Sequence, residues 1–240
     1  MIKAVCFDLD GTLLPMDLEP FSRRYFGLLA TKIAPYGYDS AEFLSAVKKG
    51  FSAMYRNDGQ RTNEQAFWEI FSDMLGERIR EHLPVLESFY ENEFDAVRDV
   101  CGFDPHSART LEACRARGLA VAIATSPVFP EIATRKRLEW AGIDPQTVSF
   151  YTTYEDHCYA KPSTGYYEEV ARRLGLRPEE CLMVGNDVQE DMVAAKVGMK
   201  VFLLLNAHLI NRTDEDITRY PRGGFAELLA YIDELVESNV

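Results

Sequence analysis

The chain has 240 residues, 47% of them hydrophobic, and a formal net charge of -12. That length suits one or two domains with a sizeable core, and the acidic balance speaks against nucleic acid or an anionic membrane as partner, because both ask for a basic face. Five scattered cysteines, Cys6, Cys101, Cys114, Cys158 and Cys181, form no CxxC pair and read as thiols of a reducing cytosol rather than a disulfide framework or a zinc site.

The first element is "IKAVCF", a β-strand that runs directly into Asp8 and Asp10. Isolated carboxylates are costly to bury. The stretch Asp8-Leu9-Asp10-Gly11 is therefore either a plain turn or the place where a strand delivers two carboxylates to a cation and a reacting group. The apolar run before it is interrupted by the two aspartates and carries no basic n-region, so it is not read as a signal peptide. No apolar run approaches the roughly 18 residues of a membrane span, and the expectation is a cytoplasmic protein.

From about Pro15 to Val100 no convincing strand occurs. The periodicity there is helical, as in "DSAEFLSAVKKGFSAMY", with Asp39 or Ser40 to cap it, and in "TNEQAFWEIFSDML", with Thr62 or Asn63 at its start and Gly76 at its end. Phe51, Phe67, Trp68 and Phe71 are expected to form this block's own core. Four more apolar runs follow, "LAVAIAT", "TVSFYTT", "CLMVGN" and "KVFLLL". Amphipathic helical patterns alternate with them: "SARTLEACRARG", "TRKRLEWAG", "GYYEEVARRLG" and "DMVAAKVG". The tail from Asn211 reads as a loop and a closing helix. Short buried strands separated by helices imply an α/β fold, a Rossmann-like parallel sheet covered on both faces. Its core spans 1–14 and 101–240, and an α-helical domain, 15–100, is inserted after the first strand.

In such a sheet, ligands bind outside the carboxyl ends of the strands. The residues that gather there are Asp8 and Asp10, Thr125 and Ser126, Lys161, and Asn186 and Asp187 with Asp191 four further on. Singly, each has a plain explanation: Thr125-Ser126 as a turn, Lys161 as a solvated ammonium, Asp187 as the cap of a helix near Val188. Together, several carboxylates, a hydroxyl and an ammonium on one edge suit phosphoryl transfer. Oxygen ligands from Asp8, Asp10 and Asp187 match a hard Mg²⁺ ion that keeps several waters. Asp8 is then the nucleophile, forming an aspartyl-phosphate, and Asp10 the acid and base that moves the proton. Lys161 and Thr125 hold the charged oxygens of the transferring group.

The order "DLDGTLL", "IATS", "KP", "GNDVQED" resembles the haloacid dehalogenase superfamily, from Ile2 to about Leu205. The helical block resembles that family's C1 cap. The resemblance implies Asp8 as nucleophile and Asp10 as general acid/base whose backbone carbonyl ligates the metal. It implies Thr125 as the phosphate-binding hydroxyl, Lys161 as the lysine of the third motif, and Gly11, Thr12 and Ser126 around the substrate phosphate. The fourth motif departs from the common pattern, with Asn186 where many relatives carry aspartate directly after the glycine. Asp187 is then the expected direct ligand, with Asp191 behind it or orienting Lys161; a coordinating role for the Asn186 amide oxygen stays open.

Dehalogenating members of the family lack an aspartate at the position of Asp10, since a halide needs no proton. The expected function is thus a Mg²⁺-dependent phosphomonoesterase for a small phosphorylated metabolite. The alternatives are a sugar phosphomutase of the same superfamily and a non-catalytic binding protein that keeps the fold. His157 is expected at the surface or in a cap rather than in the pocket, and His82, His106 and His208 show no ligand spacing. Arg23, Arg24, Lys48, Arg56 and Arg61 are read as the solvated face of the helical block.

Overall fold

In the computed structural model, residues 1–237 are described. Six strands form one sheet, β1 (Ala4–Phe7), β2 (Ala120–Ile123), β3 (Phe150–Tyr151), β4 (Cys181–Gly185), β5 (Lys200–Leu204) and β6 (Arg222–Gly223). Their spatial order is β3-β2-β1-β4-β5-β6, and every pairing is parallel. β1 therefore lies between β2 and β4, with Phe7 opposite Ile123 on one side and Val184 on the other. The chain steps outward from β1 in both directions, so the crevice beyond its carboxyl end is the point where such a sheet takes ligands. The parallel α/β sheet expected from the sequence is observed. The sixth strand is an addition to it: only two residues long, it falls in the tail read as a loop.

Alternation along the strands sorts the core into two layers. Val5, Phe7, Val121, Ile123, Leu182, Val184, Phe202 and Leu204 face one side, and Ala4, Cys6, Ala122, Cys181, Met183, Val201 and Leu203 face the other. The first layer is covered by α5 (Pro105–Ala116), α6 (Glu131–Trp140) and α8 (Phe225–Glu237), the second by α7 (Thr164–Arg173). The segment Asp191–Val197, expected as an amphipathic helix, is a 3₁₀-helix ending at Gly198. Its Met192 and Ala194 still pack in the second layer.

Between β1 and α5 come α1 (Leu18–Ile33), α2 (Ser40–Tyr55), α3 (Asn63–Leu75) and α4 (Leu83–Glu91), with a loop over 56–62 between α2 and α3 and 3₁₀ turns at the other joins. The chain leaves and rejoins the α/β body at adjacent points, where Met16 and Cys101 form an antiparallel bridge and Gly102 N donates to Pro15 O at 2.6 Å. Asp39 caps α2 through Ala41 N and Glu42 N. Thr62 and Gln65 form a reciprocal capping box on α3. Trp68 and Phe71 are buried inside the block. Phe51 and Phe67 depart from the expectation of a private core: with Met54 they pack against Val128, Phe129 and Ala160 of the body. The reason is that α2 and α3 lie over the body, so their inner aromatic face is shared. No described helix is long and apolar enough to cross a membrane. The five cysteines are free thiols.

Candidate active site

Asp8 follows β1 directly, with its backbone N–H donating to Val184 O at 2.8 Å. Its side chain is nearly buried and held from two sides. Lys161 Nζ donates to Oδ1 at 2.7 Å, and the Thr12 hydroxyl lies 2.9 Å from Oδ2 and 2.8 Å from Asn186 Oδ1. Lys161 also reaches Asp191 Oδ1 at 2.6 Å, while Asp191 Oδ2 accepts from Asp187 N at 3.0 Å. Burial opposes charge on Lys161, but Asp191 and Asp8 outweigh it and raise the ammonium well above its usual range. The turn after Asp8 needs glycine twice over at position 11: φ is +83°, and a Cβ there would sit 2.5 Å from the Asn186 amide nitrogen. Gly185 is required for a different reason, since a Cβ there would lie 1.9 Å from Asp191 Oδ2.

Asp10 points elsewhere. Its Oδ2 is ion-paired with the guanidinium of Arg137, a wholly buried arginine of α6. Arg137 in turn donates to Ala133 O and the Thr134 hydroxyl and stacks 4.6 Å from the centre of the Phe129 ring. Among the described residues, Asp10 Oδ1 is buried with no hydrogen-bond partner. Burial raises the Asp10 carboxyl, with Arg137 opposing and Asp8 reinforcing the shift.

On the β4 side, Asn186 is engaged, its Oδ1 near Thr12 and its Nδ2 on His208 O at 2.5 Å. Asp187 Oδ1 caps the turn through Gln189 N and Glu190 N, each at 3.0 Å. The helix read as starting near Val188 begins later, at Asp191. Asp187 also takes both arms of Arg212, at 2.9 Å to Oδ1 and 2.6 Å to Oδ2. Glu190 stands beside them, 3.7 Å from the same guanidinium. Burial, reinforced by Asp187 and Asp8, pushes its carboxyl up to about 7 against the pull of Lys161 and Arg212.

These groups surround a pocket of about 110 Å³. Asp8, Asp10, Thr125, Ser126, Asn186, Asp187 and Asp191 line it, and Met16, Leu18, Tyr55, Val128 and Phe129 give it an apolar wall. Ser126 Oγ is buried without a partner. Three expected site residues, Lys161, Gly11 and Thr12, do not line the pocket; Lys161 is taken up by Asp8 and Asp191 and Thr12 by Asp8 and Asn186, while Gly11 lies against the Asn186 side chain. His157, expected at the surface, is buried at 1% exposure, because its ring stacks on Phe150 and its Nδ1 lies 3.1 Å from Thr153 O. None of Arg23, Arg24, Lys48, Arg56 and Arg61 reaches the pocket; Arg23 pairs with Glu19, Arg24 with Asp99 and Arg61 with Glu69. A larger hollow of about 760 Å³ lies on the outer side of α3, lined by Trp68, Glu69, Asp73 and Arg80. Arg80 is spent there on Glu77 and the Trp68 ring, and the hollow shares no lining residue with the carboxylate pocket.

Sequence reasoning missed Arg137, Glu190, Arg212 and Tyr55. Arg137 sits in "TRKRLEW", where a run of charges reads as a solvated face. Arg212 sits in a loop with no periodicity. The nearest available signal was chemical: a cluster of carboxylates with one lysine calls for further cations.

The sequence profile of the haloacid dehalogenase-like hydrolases matches residues 2–198. A glyceraldehyde 3-phosphate phosphatase of Methanocaldococcus jannaschii is 25% identical over 98% of this chain and 99% of its own. A phosphoglycolate phosphatase of Shigella dysenteriae is 28% identical over 81% of this chain and 77% of its own. Among solved structures, a phosphatase of the same superfamily from Thermococcus onnurineus superposes with a TM-score of 0.58 at 23% identity, covering 96% of this chain and 98% of that one.

Proposed function

The chain belongs to the haloacid dehalogenase-like hydrolase family, and we propose that within it the protein is a phosphomonoesterase for a small phosphorylated metabolite, dependent on a divalent cation, Mg²⁺. The observation that carries this reading is the setting of Asp8. A carboxylate at the end of the central strand faces a small polar pocket, oriented by the Lys161 ammonium at 2.7 Å and the Thr12 hydroxyl at 2.9 Å. The relatives named for glyceraldehyde 3-phosphate and phosphoglycolate support a small substrate. So does the pocket's volume of about 110 Å³, which leaves little room for exchange between the hydroxyls of a phosphorylated sugar.

The donor set fits a hard cation. No trio of His, Cys, Asp or Glu side chains groups as a metal site among the described residues. The ion would rest on the carboxylates of Asp8 and Asp187, the main-chain oxygen of Asp10 and water, the oxygen-rich and water-retaining shell that magnesium favours. Burial, with the neighbouring Asp187 and Asp8 carboxylates adding to it, pushes Glu190 up, and a bound cation would offset that crowding of negative charge. When bound, the ion would neutralise charge between Asp8 and the phosphate.

The chain's own residues then divide the chemistry. An oxygen of Asp8 attacks phosphorus, the ester P–O bond breaks, and the leaving oxygen takes the proton of the Asp10 carboxyl. Water next attacks the aspartyl-phosphate, Asp10 accepts its proton, and free phosphate leaves with Asp8 restored. Burial raises the Asp10 carboxyl and so favours proton uptake, while the Arg137 ion pair steadies the carboxylate once the proton has left. The Ser126 hydroxyl, without a partner among the described residues, is available to phosphate oxygens, and the Thr125 hydroxyl, which interacts with Asp10, lies in the same wall. Lys161 keeps Asp8 in position, and Asp191 keeps Lys161 charged. The helical block from α1 to α4 serves as the cap, with Leu18 and Tyr55 as its contribution to the wall; it excludes bulk water.

The test is phosphate release from a panel of small phosphomonoesters, with Mg²⁺ and with chelator, for wild type and Asp8→Asn. Metal-dependent release that disappears in Asp8→Asn is expected. Release that persists in a contaminant-free Asp8→Asn preparation overturns the aspartyl-phosphate route.

A further inference from the structure

Arg212 holds a singular position in the pocket. The wall contains the carboxylates of Asp8, Asp10, Asp187, Glu190 and Asp191, and Arg212 is the one cationic side chain lining it among the described residues. Lys161 lies beneath, committed to Asp8 and Asp191, and Arg137 is committed to Asp10. The Arg212 side chain is 46% exposed while that of its partner Asp187 is 8% exposed, so the guanidinium covers a buried carboxylate from the solvent side.

The loop that carries Arg212 is braced rather than loose. Gln189 Oε1 accepts from Arg212 N at 2.7 Å, and Gln189 Nε2 reaches Asn211 Oδ1 at 2.9 Å and Thr213 Oγ1 at 2.8 Å. Val188 N donates to Ile210 O, and Ile210 N to Asn186 O, each at 2.9 Å. The backbone is thus tied to the turn after β4, while the Arg212 side chain stands 46% exposed over Asp187.

We propose that Arg212 is an exchangeable counter-ion that covers Asp187 until a metal ion takes that carboxylate, and then receives a second anionic group of the substrate. The inference rests on the metal-dependent phosphatase reading and deepens it. Arg212 donates to Asp187 Oδ1 at 2.9 Å and is ion-paired with Oδ2 at 2.6 Å, so a divalent ion brought to this carboxylate competes with the guanidinium, which its charge repels. The displaced side chain stays at the mouth with Glu190 beside it. Its planar fork of N–H groups matches a carboxylate or phosphate bidentately. The opposite wall, Met16, Leu18, Val128 and Phe129, offers an anion nothing. The favoured substrates are therefore phosphomonoesters with a second negative group a few atoms from the ester oxygen.

Two measurements test this on the full chain. Calorimetric titration with Mg²⁺ alone is expected to show tighter binding in Arg212→Gln than in wild type, because an internal competitor for Asp187 is gone; unchanged or weaker binding overturns the counter-ion role. Steady-state kinetics then compare ethyl phosphate with 2-phosphoglycolate, which exchanges a methyl for a carboxylate, and with ethylene glycol bisphosphate. In Arg212→Gln the preference in kcat/KM for the two charged esters over ethyl phosphate is expected to fall by about tenfold or more, mostly through KM, and Arg212→Lys to recover part of it. An equal change for all three esters overturns the substrate role. If wild type hydrolyses none of them but releases phosphate from other phosphomonoesters of the panel, the substrate role is overturned; if it releases phosphate from no panel member, the phosphatase reading fails instead, and the magnesium titration alone decides the counter-ion role.

Discussion

At the scale of single residues, the Arg137–Asp10 pair decides what the helix behind the pocket is for. A buried guanidinium and a largely buried carboxylate are costly to desolvate and stable only as partners. Arg137 has no exposure, whereas the Asp10 side chain retains 26%, so removing the arginine strands a carboxylate that burial already raises. Arg137→Met should therefore lower unfolding stability by about 3–5 kcal/mol, and adding Asp10→Asn should restore part of the loss by removing the unpaired charge. Urea denaturation of both single variants and the double variant checks this, and additive losses would dissolve the pairing. The pair also marks the limit of reading sequence. Asp8 and Asp10 announce themselves because the anomaly is local, two carboxylates in a strand end. Arg137 lies 127 positions from Asp10, and no spacing connects them; only the fold does.

At the scale of elements, the join between α3 and the body is made by unsatisfied backbone groups. The first N–H groups of a helix have no partner within it. In α3, Asn63 N donates to His157 O and Glu64 N to Tyr154 O, each at 2.8 Å. The wholly buried Asn63 side chain extends the join, with Nδ2 3.0 Å from Pro127 O and 3.1 Å from Tyr159 O, and Oδ1 accepting from Asn57. Asn63→Ala leaves the buried Pro127 carbonyl and the part-buried Tyr159 carbonyl without this donor and is expected to cost about 2 kcal/mol, with faster amide exchange in 57–64 and 154–160 than in the β1–β4 sheet. Uniform acceleration across the molecule would mean that Asn63 supports the fold in general and not this join. The sequence made α3 legible through Thr62 and Gly76, because capping is local chemistry. It hid the join, since Asn63 looks like any polar residue at a helix start. β6 was hidden for the opposite reason: two residues carry no periodicity, and pairing with β5 alone defines them.

At the scale of the whole molecule, the same join links acid stability to the contact between the helical block and the body. The loop that receives α3 is built around His157, whose ring is packed on Phe150 with Nε2 unpartnered. Burial, helped by the positive charge of Arg173, lowers its pKa to about 3. The unfolded chain binds a proton at this histidine near pH 6.5, and the folded chain does not until about 3. Between those values the unfolded state holds more protons, so stability falls as pH falls. From pH 7 to pH 5 this one group withdraws about 2 kcal/mol. His157→Asn keeps a polar atom near Thr153 and does not titrate. It loses ring packing and should be less stable at pH 7, yet the wild-type loss between pH 7 and pH 5 should exceed the variant's by about the stated amount. Equal losses in the two proteins would assign acid sensitivity to other groups. Because His157 O receives Asn63 N, the protonated state should also loosen the hold on α3 first, and amide protection in 57–64, corrected for the slower intrinsic exchange at low pH, should fall from pH 7 to pH 5 in wild type and not in His157→Asn.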